Sequence, residues 1–264
     1  MLTTVAANNN QTKRIAPVRF RVEDRHRVLF CFVPKVASRN LVRLMLILAR
    51  AVETNDLSAV PKPKVFAENP MRILYAKTLN DTVKNGAGDF FKFLFVRHPF
   101  ERLVSAYQDK LGINDPIYHK MVGKVIVRKV RKNPSRLSLE MGNDVTFPEF
   151  VTFIIDEWRN GENPLDIHWR PIFDLCLPCE MQFDFIGKFE TLNRDVDFLL
   201  RKLNETDLVG LFTGQPKAQT TSSLWKESMN QISHQQLSEL NRIYADDFRL
   251  FGYPYYYNGK ESLH

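Results

Sequence analysis

An α/β fold, with a central parallel sheet flanked by helices, is predicted by three features of this 264-residue sequence. Val28 to Val33 is an apolar run without alternation, the mark of a strand covered on both faces, as parallel strands are. A short loop and then an apolar stripe at helical spacing follow it. The same order of strand, loop and helix returns from Phe90 onward. In such sheets ligands gather beyond the carboxyl ends of the strands, so both loops lie where chemistry is expected.

Along the chain, residues 1–17 are polar, Asn-rich and aperiodic, the composition of a disordered leader. One domain is expected from Val18 to the end. The first helix carries Leu41, Leu44, Met45, Leu48, Ala49 and Val52 on one face. The second strand, Phe90 to Val96, is interrupted only by Lys92. Pro99 then opens a helix with Phe100, Leu103, Val104, Tyr107 and Leu111 inward, proline being well tolerated in a first turn. From Pro116 to Arg136 the chain is basic and helix-like, with Lys120, Lys124, Arg128 and Arg131 forming a stripe whose default reading is a solvated face. Phe147–Trp158 and Val196–Leu203 read as amphipathic helices. Ser233 with Gln236 forms a capping-box pattern ahead of Leu237, Leu240, Tyr244 and Phe248.

Composition narrows the function classes. At 44% hydrophobic residues the chain can build a substantial core, and 37 basic against 30 acidic side chains favour a polyanionic ligand. No motif for reading nucleic acid accompanies that charge, so nucleic acid is not the expected partner. Arg43 and Arg50 break the most apolar segment, no membrane span is expected, and the first residues lack the order of a signal peptide. Three cysteines, with Cys176 and Cys179 in a CLPC arrangement, lack the second pair of a zinc site. A structural disulfide or two buried thiols is the expectation, with no metal. Sequons at Asn10, Asn80 and Asn204 are compatible with the secretory pathway. Nothing in the sequence specifies an oligomeric state.

The loop CFVPKVASRN, residues 31–40, has the makings of an anion cradle. Pro34 turns the chain, Lys35 supplies a cation, and the amides of Val36, Ala37, Ser38 and Arg39 precede a helix whose N-terminus adds positive potential. A cation about 4 Å from a phosphate contributes on the order of 4 kcal/mol at an effective dielectric of 20. The GxxxxGK[ST] spacing of nucleotide P-loops is absent.

PKVASRN resembles the 5′-phosphosulfate loop of the carbohydrate sulfotransferases, and FLFVRHPFERLVSAYQDKL, residues 93–111, resembles their 3′-phosphate motif. YHKMVGKVIVRKVRKN, DVTFPEFVTFIID, DIHWRPIFDLCLPC with DFIGKFETL, and IYADDFRLFGY extend the similarity over most of residues 28–253, towards the Golgi enzymes that sulfate chondroitin and dermatan. The family's Thr-Asn-Trp is here Arg39-Asn40-Leu41, its usual cysteine is Ser38, and its acidic residue after the motif arginine is His98.

The resemblance implies a P-loop-NTPase-like sulfotransferase fold and a Golgi-lumenal catalytic domain. It implies transfer of a sulfonate from PAPS (3′-phosphoadenosine 5′-phosphosulfate) to a sugar hydroxyl of an acidic, chondroitin- or dermatan-like glycan, leaving PAP. By it, Pro34 to Asn40 cradle the 5′-phosphosulfate, Lys35 neutralises the leaving oxygen, and Arg97 with Ser105, eight residues on, hold the 3′-phosphate. His168, in DIHWRP, is the preferred base because histidine titrates near neutrality. Glu68, His98 and a purely turn-fixing role for His168 stay open. Lys124, Arg128 and Arg131 are candidate acceptor contacts. The alternative is an inactive module of the same fold that binds nucleotide or acidic glycan.

Overall fold

A computed structural model of the protein describes residues 17–112, 115–161, 164–213, 221–257 and 260–262. The expected leader falls outside these residues except for Pro17, and so does the sequon at Asn10.

Five strands form the central sheet: β1 (Val18–Glu23), β2 (Val28–Cys31), β3 (Ile73–Ala76), β4 (Phe91–Val96) and β5 (Phe185–Lys188). Their spatial order is β3-β1-β2-β4-β5. β2, β4 and β5 pair in parallel, with Phe30 opposite Phe93 and Leu94 opposite Ile186. The sheet is mixed rather than parallel, because β1 runs antiparallel to both β2 and β3. The cause is local: the Glu23 carboxylate accepts from the amides of Arg25 and His26, at 3.0 and 2.7 Å, and folds a tight turn that returns the chain beside itself. β2 is buried at all four positions, as its unalternating sequence requires. β5 comes so close to its neighbour that a Cβ on Gly187 would lie 2.4 Å from the Phe95 ring.

Helices cover the sheet. Among the described residues they include α1 (Ser38–Leu48), α2 (Pro99–Tyr107), α3 (Lys124–Val130), α4 (Phe147–Asn160), α5 (Leu192–Lys202), α6 (Thr221–Met229), α7 (His234–Ile243) and α8 (Ala245–Phe251). α1 buries Leu41, Leu44, Met45 and Leu48 from the predicted stripe, and α2 buries Phe100, Leu103 and Val104. The Ser233–Gln236 capping box forms as predicted, with Ser233 Oγ accepting from the Gln236 amide at 3.2 Å. Among the described residues no helix is long and apolar enough to cross a membrane.

A disulfide joins Cys31, at the end of β2, to Cys176, and Cys179 is an exposed thiol. Asp247 of α8 accepts from the amides of Ile172 and Phe173 at 2.8 and 2.7 Å. Together they pin residues 172–176, which follow the DIHWRP segment, to β2 and α8.

Candidate active site

Parallel pairing of β2 with β4 brings the loops after them to the same carboxyl edge of the sheet. The first loop is strained. Lys35 and Ala37 lie at φ 72° and 61°, a left-handed conformation that costs a non-glycine residue roughly 1–2 kcal/mol. Ala37, at the N-cap of α1, offers no side-chain acceptor to the first turn, while its carbonyl accepts from Asn40 and Leu41. The amides of Ser38 and Arg39 precede the first intrahelical bond, so this helix start is suited to an anion. Pro34 and Val36 are buried and anchor the loop; Arg39 is exposed; the Asn40 carboxamide accepts from Arg43 of its own helix at 3.2 Å. Lys35 Nζ lies 3.3 Å from Asp109. Burial pushes the Lys35 ammonium below its ordinary value, against the opposing pull of Asp109.

In the second loop Arg97 turns back to the first. Its Nη1 donates to the Lys35 carbonyl at 3.1 Å, Nε and Nη2 donate to Glu101 at 3.4 Å, and the guanidinium lies 4.1 Å from the centre of the Phe189 ring. Burial pushes its pKa down, and Glu101 opposes that. Glu101 and Ser105 lie four residues apart in α2, the spacing of one helical face, and Arg97 lies just before that helix. Ser105 is half-buried. The structure thus brings Lys35 and Arg97 together through a direct backbone contact.

His98 has a different role. Its ring lies 4.8 Å from Trp225 of α6 and within 6.0 Å of Phe100, Phe248 and Tyr253, centre to centre. Burial pushes its pKa down to about 4, so at neutral pH it is an uncharged ring packed among aromatics and a poor proton acceptor. Its backbone amide donates to Glu190 at 2.8 Å.

Arg102, which the sequence reading passed over, joins the two halves of the site. It is 1% exposed, and its planar fork donates to the carbonyls of Pro34 (3.0 Å), Ile167 (2.9 Å) and Arg170 (2.6 Å). One guanidinium therefore holds the cradle loop and the DIHWRP segment in fixed relation. The available signal was a charged residue inside the apolar FERLVSAY helix.

His168 sits in that segment with its Nδ1 2.7 Å from Asp166 Oδ1 and 2.9 Å from the Tyr118 hydroxyl, which also donates to Asp166 Oδ2 at 3.2 Å. Burial raises the Asp166 pKa, but hydrogen bonds from His168 and Tyr118 outweigh it and hold the carboxylate below its usual range. An ionised carboxylate on Nδ1 favours the Nδ1–H tautomer, whose Nε2 lone pair can take a proton. The His168 amide also donates to Asp166 at 2.8 Å, so the turn-fixing role is present as well. Glu68 is exposed and pairs with Lys64 at 3.9 Å.

Residues 18–254 match the profile described as the sulfotransferase family. This chain belongs to the sulfotransferase family. Carbohydrate sulfotransferase 11 of Rattus norvegicus is 34% identical to it over 233 residues, covering 88% of this chain and 66% of the relative. Carbohydrate sulfotransferase 14 of Danio rerio is 35% identical over 239 residues (88% and 61%), and carbohydrate sulfotransferase 8 of Mus musculus 36% over 245 residues (89% and 56%). The chain thus spans just under two thirds of the length of the first of these relatives, and less of the other two. No solved structure matches.

In this member of the family the basic stripe is less uniform than its periodicity suggests. Arg131 is engaged from within: it donates to Glu149 at 2.9 Å and to Asp144 at 2.8 Å. Lys129 pairs with Glu157 at 2.7 Å. Lys124 is half-buried and Arg128 exposed. Beside Asp166 a cavity of about 240 Å³ opens, lined by Met121, Val125, Phe153, Leu165 and Trp169.

Proposed function

We propose that this sulfotransferase moves a sulfonate group from PAPS to a sugar hydroxyl of an acidic glycan of the chondroitin or dermatan kind, on a P-loop-NTPase-like scaffold. The observation that carries this reading is the contact of Arg97 Nη1 with the Lys35 carbonyl, which sets two basic residues from neighbouring strand ends side by side. A nucleotide with phosphates at its 3′ and 5′ ends needs two cationic positions of this sort.

Pro34 to Asn40 surround the 5′-phosphosulfate, and Arg97 with Ser105 hold the 3′-phosphate. The acceptor oxygen attacks sulfur in line as the bond from sulfur to the 5′-phosphate oxygen breaks. His168 Nε2 takes the hydroxyl proton, the Asp166 carboxylate stabilises the imidazolium, and Lys35 neutralises charge on the departing PAP. Lys124 and Arg128 are the acceptor contacts in this reading, and Arg131 would have to leave Glu149 and Asp144 to join them. The Cys31–Cys176 disulfide suits an oxidising compartment such as the Golgi lumen.

The test is transfer of labelled sulfonate from PAPS to a panel of desulfated polysaccharides, with PAP titrated by calorimetry in parallel. Transfer to a galactosamine-containing chain is expected. PAP binding without transfer to any member of the panel would favour the inactive module.

A further inference from the structure

The residues after α2 form a wide π-helical turn, Gln108–Gly112, and this turn presents one carboxylate to the cradle. Asp109 lies 3.3 Å from Lys35 Nζ, 3.7 Å from Arg39 Nη2 and 3.4 Å from Lys110 Nζ. Two of those three cations belong to the loop that the proposed function gives to the 5′-phosphosulfate, and the inference rests on that reading. A carboxylate oxygen at this distance from an ammonium stands where a phosphate or sulfonate oxygen would stand. The Asp109 side chain is 28% exposed, so solvent reaches it. Lys110 offers a second position, since its ammonium already reaches both Asp109 and, at 3.2 Å, Asp115.

We propose that Asp109 is a displaceable counter-anion: it occupies the anion position of the cradle, gives way to the nucleotide towards Lys110, and so determines how tightly donor and product bind. Like charges at this range repel strongly in a partly desolvated site, so every nucleotide that seats against Lys35 must displace this carboxylate or bind beside it.

The experiment is a calorimetric titration of the whole chain with PAP at low and high salt, with thermal unfolding of each variant alongside. Asp109→Asn is expected to lower the PAP dissociation constant about tenfold at low salt, with a smaller gain at high salt. Asp246→Asn makes the same change in net charge at an exposed carboxylate paired with Arg249, and is expected to shift the constant less than about twofold. Lys110→Met supplies a second measure: it should weaken PAP binding more in the wild type than in an Asp109→Asn background. Unchanged or weaker binding by Asp109→Asn at undiminished thermal stability overturns the inference, and so do equal Lys110→Met losses in the two backgrounds. A wild type that does not bind PAP at all overturns the proposed function and this inference with it.

Discussion

The cradle loop and the basic helix are both rich in cations, yet they spend them differently. In the loop, Lys35 and Arg39 share one carboxylate, Asp109, on a wide turn, above a helix start that has no side-chain cap. Along α3 and just past it, Lys129 meets Glu157, while Arg131 meets Glu149 and Asp144, the latter two with short, well-aligned bonds. Arg131 is pushed up by its bonds to these carboxylates. The difference is one of surplus. A cation matched by carboxylates from neighbouring elements holds the fold together, whereas a strained, under-neutralised loop retains attraction for an outside anion.

The comparison is sharpest at its centre. Replacing Lys35 with Ala should lower sulfonate transfer by about 10³-fold, the scale of losing a group aimed at developing charge. His168→Ala should cost about 10²–10³-fold in kcat with PAP affinity unchanged if His168 is the base proposed above, which meets the acceptor and not the nucleotide. Rate measurements paired with PAP titrations separate the two. Arg102→Lys keeps the charge but cannot span three carbonyls. Transfer is expected to fall about tenfold to 10²-fold, the scale set by small misplacements of reacting groups, while PAP affinity holds. Equal losses of unfolding temperature, binding and rate would instead mark Arg102 as purely structural.

Across the molecule, Arg131→Met should leave nucleotide binding alone and cost about 1 kcal/mol of stability at neutral pH. The pH dependence has a definite sign. Arg131 hydrogen bonds depress the Glu149 pKa, so this contribution is full above the unfolded carboxylate value and is lost as pH falls through the depressed folded value. Urea unfolding should show the Arg131→Met deficit at neutral pH and none in strong acid. A deficit that persists in acid would mean that the arginine acts through packing.

Much of the scaffold was legible from residues alone. β2 and β4 are apolar runs with a helical stripe after each, and those four elements position both loops. β1 was legible but not read: Val18, Phe20 and Val22 alternate with Arg19, Arg21 and Glu23 as in a strand, and the fold buries Arg21 and Glu23 as well. β3 and β5 are four residues each, too short to declare a period. The parallel sheet expected from the βα repeats thus became mixed once β1 folded back.

At the site, the resemblance pointed to Lys35, Arg97 and His168, and each lies in a specific network. Arg102 and Asp109 were passed over for a physical reason. A lone arginine or aspartate on a helix reads as solvated, and their partners come from other loops: Pro34 lies 68 residues from Arg102. Periodicity found the basic stripe, but only packing shows that Arg131 is already matched.

The most direct test of the paired cations is a comparison of PAP with adenosine 5′-monophosphate, which lacks the 3′-phosphate, titrated into wild type, Arg97→Met and Lys35→Met. Wild type should prefer PAP; Arg97→Met should lose that preference; Lys35→Met should bind both nucleotides more weakly and keep it. An undiminished preference for PAP in Arg97→Met would show that residue 97 does not hold the 3′-phosphate.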